Sequence, residues 1–133
     1  MNKYYLLAFI FLLMFTNIAS AEVGCNNRNH EKITGIYSNM KYNKESGDVV
    51  GNEIFIVFSR NGYFAILQSS EGEPSKPVIV PVSVDGVSIK FSVPLDMDPR
   101  GDFHGTICNG HLVGKFSGNN QSVNIKRRSS YWQ

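Results

Sequence analysis

The sequence predicts an all-β domain: an up-and-down antiparallel barrel of about eight strands, with a β-sandwich as the alternative. Three observations carry this. Val78, Val80, Val82 and Val84 alternate with Ile79, Pro81 and Ser83, the period-two pattern of a half-buried strand. Turn dipeptides, Asn61-Gly62, Asp85-Gly86 and Asn109-Gly110, separate apolar runs at hairpin spacing. No stretch after the first 21 residues shows helical periodicity.

The elements follow in chain order. Residues 1–21 have the parts of a translocation signal: Lys3, an apolar run from Leu6 to Phe15, and the small-residue site Ala19-Ser20-Ala21. The run is shorter than the roughly 20 residues that span a bilayer. Glu22, three residues before Cys25, does not fit a lipoprotein site. The expectation is a secreted or periplasmic protein with no stable membrane anchor after signal cleavage, and a single domain over residues 22–133.

A first strand is expected over 33–42 and a loop rich in Gly, Ser and charge over 43–52. Strands at 53–59 and 63–69 form a hairpin, followed by a second such loop at 70–76. The valine strand then turns at Asp85-Gly86, and Val87, Ile89, Phe91 and Val93 resume the apolar face. Pro81 has no N–H to donate, so it belongs at a bulge or an unpaired position. Asn109-Gly110 pairs Cys108 with His111, Thr106 with Val113 and Ile107 with Leu112. Phe103, Ile107, Leu112 and Phe116 then share the core face with Gly105 and Gly114, which make room for an aromatic ring or mark a bend. Residues 121–127 supply the last strand. An antiparallel sheet of this size removes its edges by closing.

Cys25 and Cys108 are the two cysteines. In an oxidising compartment they are expected to form one disulfide. The alternative is a tetrahedral metal site from Cys25, His30, Cys108 and His111; oxidation competes against it, and no metal is expected. With 13 Lys+Arg against 11 Asp+Glu over the full chain, charge is nearly balanced. That predicts no strong attraction to nucleic acid or anionic lipid.

Gly35-Ile36-Tyr37 resembles the Gly-x-Trp entry of lipocalin-like barrels, with Tyr37 in place of the Trp. The runs 103–107 and 110–116 resemble the meander of lipocalin-like and avidin-like proteins, and of small exported barrels of no known activity. The resemblance implies a closed barrel that binds a small molecule in its mouth or a protein through its loops. The ligand-contacting tryptophans of those families have no counterpart, because the single Trp is Trp132.

Catalytic motifs are missing. There is no Gly-x-Ser-x-Gly elbow, and His30, His104 and His111 read as solvated. Asp96, Asp98, Gly101 and Asp102 partly resemble a calcium loop, but Arg100 and Ile107 stand where ligands belong. Lys126-Arg127-Arg128 with Tyr131-Trp132 mixes charge and aromatic rings, as single-strand binders do; here the segment is expected to end the last strand and cover the barrel mouth. The first functional expectation is a non-enzymatic exported protein, without a cofactor, that binds a small apolar molecule at one open end. Tyr37, Phe55, Phe64 and Phe91 are the expected wall. The second is an inhibitor or immunity protein that binds another exported protein through loops 43–52 or 70–76. An enzyme using His104 or His111 at the mouth is the third.

Overall fold

The structure is a computed structural model and describes residues 31–133. The expected signal segment, Cys25 and His30 lie outside the described residues. Among those described, there is no helix. Nine strands form one antiparallel sheet: β1 (Gly35–Ser38), β2 (Lys41–Tyr42), β3 (Val49–Ser59), β4 (Gly62–Gly72), β5 (Val78–Asp85), β6 (Ser88–Ser92), β7 (Asp102–Cys108), β8 (His111–Phe116) and β9 (Ser122–Lys126). The spatial order is β1-β3-β4-β5-β6-β7-β8-β9, with β2 also on β3. The Tyr37–Arg127 bridge and an Arg128 N–H bond to the Ile36 carbonyl (3.0 Å) bring β1 against β9. The sheet is thus nearly closed into a barrel.

The alternation places the core as expected. Ile54, Ile56, Ala65, Leu67, Val80, Val82, Ile89, Phe91, Phe103, Ile107, Leu112 and Phe116 all point inward and are buried. Their burial at roughly 25 cal/mol per Å² is the main force holding the sheet curled. The β7–β8 register matches the expected pairs, with Asn109 (φ 51°) and Gly110 (φ 73°) in the left-handed region that a two-residue hairpin loop demands. Gly105 lies opposite Gly114, and the Phe103 ring fills the space above them. A methyl group on either glycine would sit 2.5 Å from that ring.

Boundaries differ from expectation at five places. The first strand breaks between β1 and β2 because Met40 turns into the core and Ser38 Oγ accepts its N–H (3.2 Å). The Asn39 carboxamide replaces a ladder partner by accepting the Asn52 N–H (2.7 Å). β3 and β4 run on to Val49 and Gly72, so the expected loops 43–52 and 70–76 shrink to 43–48 and 73–77. The turns at 60–61 and 86–87 each lie one residue away from the expected Asn61-Gly62 and Asp85-Gly86.

The C-terminal tail, 128–133, does not cover the barrel mouth. It crosses the outside of β3 and β4, where Ser130 Oγ donates to Glu53 (2.6 Å), Tyr131 N–H to Glu53 (2.9 Å) and Trp132 Nε1 to Gln68 (2.8 Å). Glu53 and Gln68 are outward-facing acceptors, and they hold the tail down.

Pro81 sets the shape of the wall. The two-residue loop makes Asp85 and Ser88 a hydrogen-bonded pair, then Ser83 and Lys90, so the next such pair would be Pro81 and Ser92. Proline cannot donate there, and pairing between β5 and β6 stops at Ser83–Lys90. The strand before Pro81 pairs only with β4, and a groove opens between Pro81 and Phe91.

At the seam, the Tyr37 hydroxyl donates to the Ile33 carbonyl (3.0 Å) and accepts from Arg127 Nη2 (2.6 Å). Burial pushes its acidity down, raising the pKa above 10.0, although the bond from Arg127 and its charge act the other way. A group whose folded pKa is raised gives stability that is complete below its unfolded value and is lost as pH rises from there through the folded one. The seam therefore weakens above about pH 10. Tyr37→Phe is expected to cost about 1–2 kcal/mol and to abolish that alkaline loss, measured by urea unfolding at neutral and high pH.

Candidate functional site

The short turns at 60–61, 86–87 and 109–110 all lie at one end of the barrel, and the longer connections lie at the other. There the start of β3, the end of β4, and the connections 93–101 and 117–121 surround an open chamber of about 470 Å³. Asn52, Ser69, Glu71, Arg100, Asn119 and Gln121 line it, with Val50 and Pro99 among the few apolar groups. A side pocket of about 90 Å³ adjoins it under Met97 and Ser75.

Arg100 is the floor of this chamber. Its Nε and Nη2 donate to the Asp98 carboxylate at 2.9–3.0 and 2.6 Å, and Nη1 donates to Asn52 Oδ1 at 2.5 Å. The guanidinium lies 4.4 Å above the centre of the Phe116 ring. Asp98 also accepts the Arg100 backbone N–H (3.0 Å), which bends the 93–101 connection over the barrel. Burial alone would raise the Asp98 pKa, but the hydrogen bonds and charge of Arg100 outweigh it and hold the carboxyl below its ordinary 3.8. Below Arg100 the interior is filled. Phe91 and Phe103 stack at 4.8 Å, and Phe103 and Phe116 meet at 5.0 Å.

The four residues expected to wall an apolar pocket are not brought together. Tyr37 and Phe91 face inward but are packed into the core, Tyr37 against Arg127 and Phe91 against Phe103. Phe55 and Phe64 sit on β3 and β4 one residue out of phase with the core and face outward, Phe55 exposed and Phe64 half-buried. Composition could not separate the two faces of these strands, because both are apolar. Arg100 was missed: its neighbours suggested a calcium loop, and only folding shows that it neutralises Asp98. Among the described residues, no cluster of three or more His, Cys, Asp or Glu is arranged to hold a metal ion. His104 is exposed on the outer face of β7, and His111 Nδ1 lies 2.9 Å from Asn124 Oδ1; neither lines the chamber. Cys108 is buried at the end of β7.

The outside of the barrel is uneven. Over β6–β9 it carries Lys90, His104, Lys115, Asn124 and Lys126. Over β1, β3, β4 and β5, beside the outward-facing Glu53 and Gln68, two cross-strand rows are apolar. Ile36, Phe55, Ile66 and Ile79 stand side by side in one row, and Val57, Phe64 and Pro81 form the next. Ile79 is 66% exposed and Phe55 39%. Comparison of the chain with protein-family models, with curated proteins and with solved structures found no match.

Proposed function

We propose that this is an exported, non-enzymatic binding protein that takes a small polar, uncharged ligand into the chamber at its open end. The carrying observation is the contrast between that chamber, lined by amide, hydroxyl and carboxylate groups, and an interior filled with side chains. An apolar ligand would find no room beneath Arg100. Asp98 already neutralises Arg100, and Glu71 adds one negative charge, so the lining repels anions. Planar amides and hydroxyls suit a polyhydroxylated or amide-bearing molecule, whose hydrogen bonds they replace on desolvation. The resemblance to lipocalin-like and avidin-like barrels supports a small molecule held in a barrel mouth. The leader at residues 1–21 supports export, and the two cysteines support a Cys25–Cys108 bridge in the mature protein.

The test is saturation-transfer NMR with neutral saccharides, polyols and zwitterionic amino acids, and a short fatty acid as the apolar probe. Polar compounds should give signals that fall in Gln121→Ala and Glu71→Gln, which lie on the exposed lining and leave the core alone. Signals from the fatty acid alone, or polar signals untouched by both variants, would refute the reading.

A further inference from the structure

Resting on the proposed reading of the chamber as a ligand site, we infer that its β3–β4 wall recognises the acetamido group of an N-acetylated sugar or amino acid. β3 and β4 run on past the packed interior, so two cross-strand pairs, Asn52–Ser69 and Val50–Glu71, line the chamber. They continue the inward phase of Ile54 and Leu67. The Asn52 backbone N–H and carbonyl are both engaged by Asn39, on the side away from β4. Each pair is therefore of the close, non-hydrogen-bonded kind, roughly 4.5 Å between Cα atoms. Two residues along each strand separate the pairs, roughly 7 Å.

Arg100 decides what Asn52 offers. A guanidinium only donates, so the oxygen of the Asn52 carboxamide faces Arg100 Nη1 (2.5 Å) and Nδ2 is left facing away from it. Among the described residues no group accepts from Nδ2, which keeps both of its N–H donors for a ligand. At the next pair the exposed Glu71 carboxylate only accepts, and its cross-strand neighbour Val50 is apolar. The wall therefore presents a donor, then an acceptor beside an apolar surface. A trans secondary amide carries the complementary order: its carbonyl oxygen lies on one side, and its N–H lies on the other together with the acyl methyl. The carbonyl accepts from Asn52 Nδ2, the N–H donates to Glu71, and the methyl rests on Val50. A hydrogen bond of about 2.9 Å at each end of one amide covers a distance comparable to that between the pairs. Other groups complement the wall less well. A hydroxyl in place of the acetamido group would be desolvated against Val50 with no partner there. An ammonium would pair with Glu71 but has nothing to accept the Asn52 donors, and a carboxylate would meet Glu71 with like charge.

An NMR titration of isotope-labelled protein, followed at the side-chain amide of Asn52, tests this. N-acetylglucosamine is compared with glucosamine and glucose, and N-acetylalanine amide with alanine amide, so that the sugar and amino-acid carriers are read apart. At least one acetylated compound should bind about tenfold more tightly than its unacetylated counterparts and shift the Asn52 Nδ2 resonances. Asn52→Asp keeps an acceptor for Arg100 but removes the donor, and it should abolish that preference while the backbone amide spectrum stays native. Val50→Thr, which leaves the Arg100 contacts alone, should narrow it. Equal affinity with and without the acetyl group, tighter binding of the amines, or a preference that survives both variants overturns this inference and leaves the proposed function standing. No binding in either series, with polyols or zwitterions still giving saturation-transfer signals, overturns it in the same way. Silence from every polar compound removes the proposed function along with it.

Discussion

Gly114→Ala is expected to destabilise the barrel by about 3 kcal/mol, the upper end of what overpacking costs in a filled core. The added methyl would lie 2.5 Å from Phe103 Cζ and 2.7 Å from the Gly105 backbone. Neither neighbour can withdraw. Phe103 is held between Phe91 at 4.8 Å and Phe116 at 5.0 Å, and Gly105 is fixed by pairing with β6 as well as β8. Urea unfolding should show a lower midpoint with an unchanged slope. Phe103→Leu in the same chain should recover part of the loss, giving a non-additive double-mutant cycle. A loss below about 1 kcal/mol would show that the ring moves aside at little cost.

Arg100→Leu is expected to cost about 2 kcal/mol, because it leaves the Asp98 carboxylate and the Asn52 carbonyl oxygen without their donor in a site from which water is largely withdrawn. The acid side gives a sharper signature. A carboxyl with a lowered folded pKa contributes stability that is present above its unfolded value, ordinarily 3.8, and is lost as pH falls through the folded one. As pH falls from about 3.8 toward the folded value, wild type should therefore lose stability more steeply than Arg100→Leu. Equal slopes in the two proteins would mean that the pair adds nothing to the fold. Asp98→Asn should fall between them, since the amide oxygen still accepts one bond.

Much of the wall was legible because period-two alternation and Gly-containing turns act locally. The β7–β8 register, including Cys108 against His111 and the glycine pair under an aromatic ring, follows from Asn109-Gly110 alone. What was not legible depends on contacts between distant positions. Asn39 replaces a ladder bond 13 residues away, which splits the first strand. Arg100 reaches Asn52 across 48 positions. The tail docks on Glu53 over a separation of 77. Phe55 and Phe64 misled for a different reason: in β3 and β4 both faces are apolar, so hydrophobicity does not mark which side is core. That excess on the outer face confounds the assignment of a ligand wall.

One missing amide proton also divides the molecule mechanically. With the Pro81 nitrogen unable to donate, the wall consists of two leaves joined by a short hinge at Ser83–Asp85, and the slit between them runs alongside Phe91. Thermal breathing should concentrate there, with fast deuterium uptake at the Ser92 amide while the amides of the β3–β4 ribbon stay protected. Restoring the donor by Pro81→Val would zip the leaves into an uninterrupted cylinder, so a single ring in the backbone sets how freely this shell flexes.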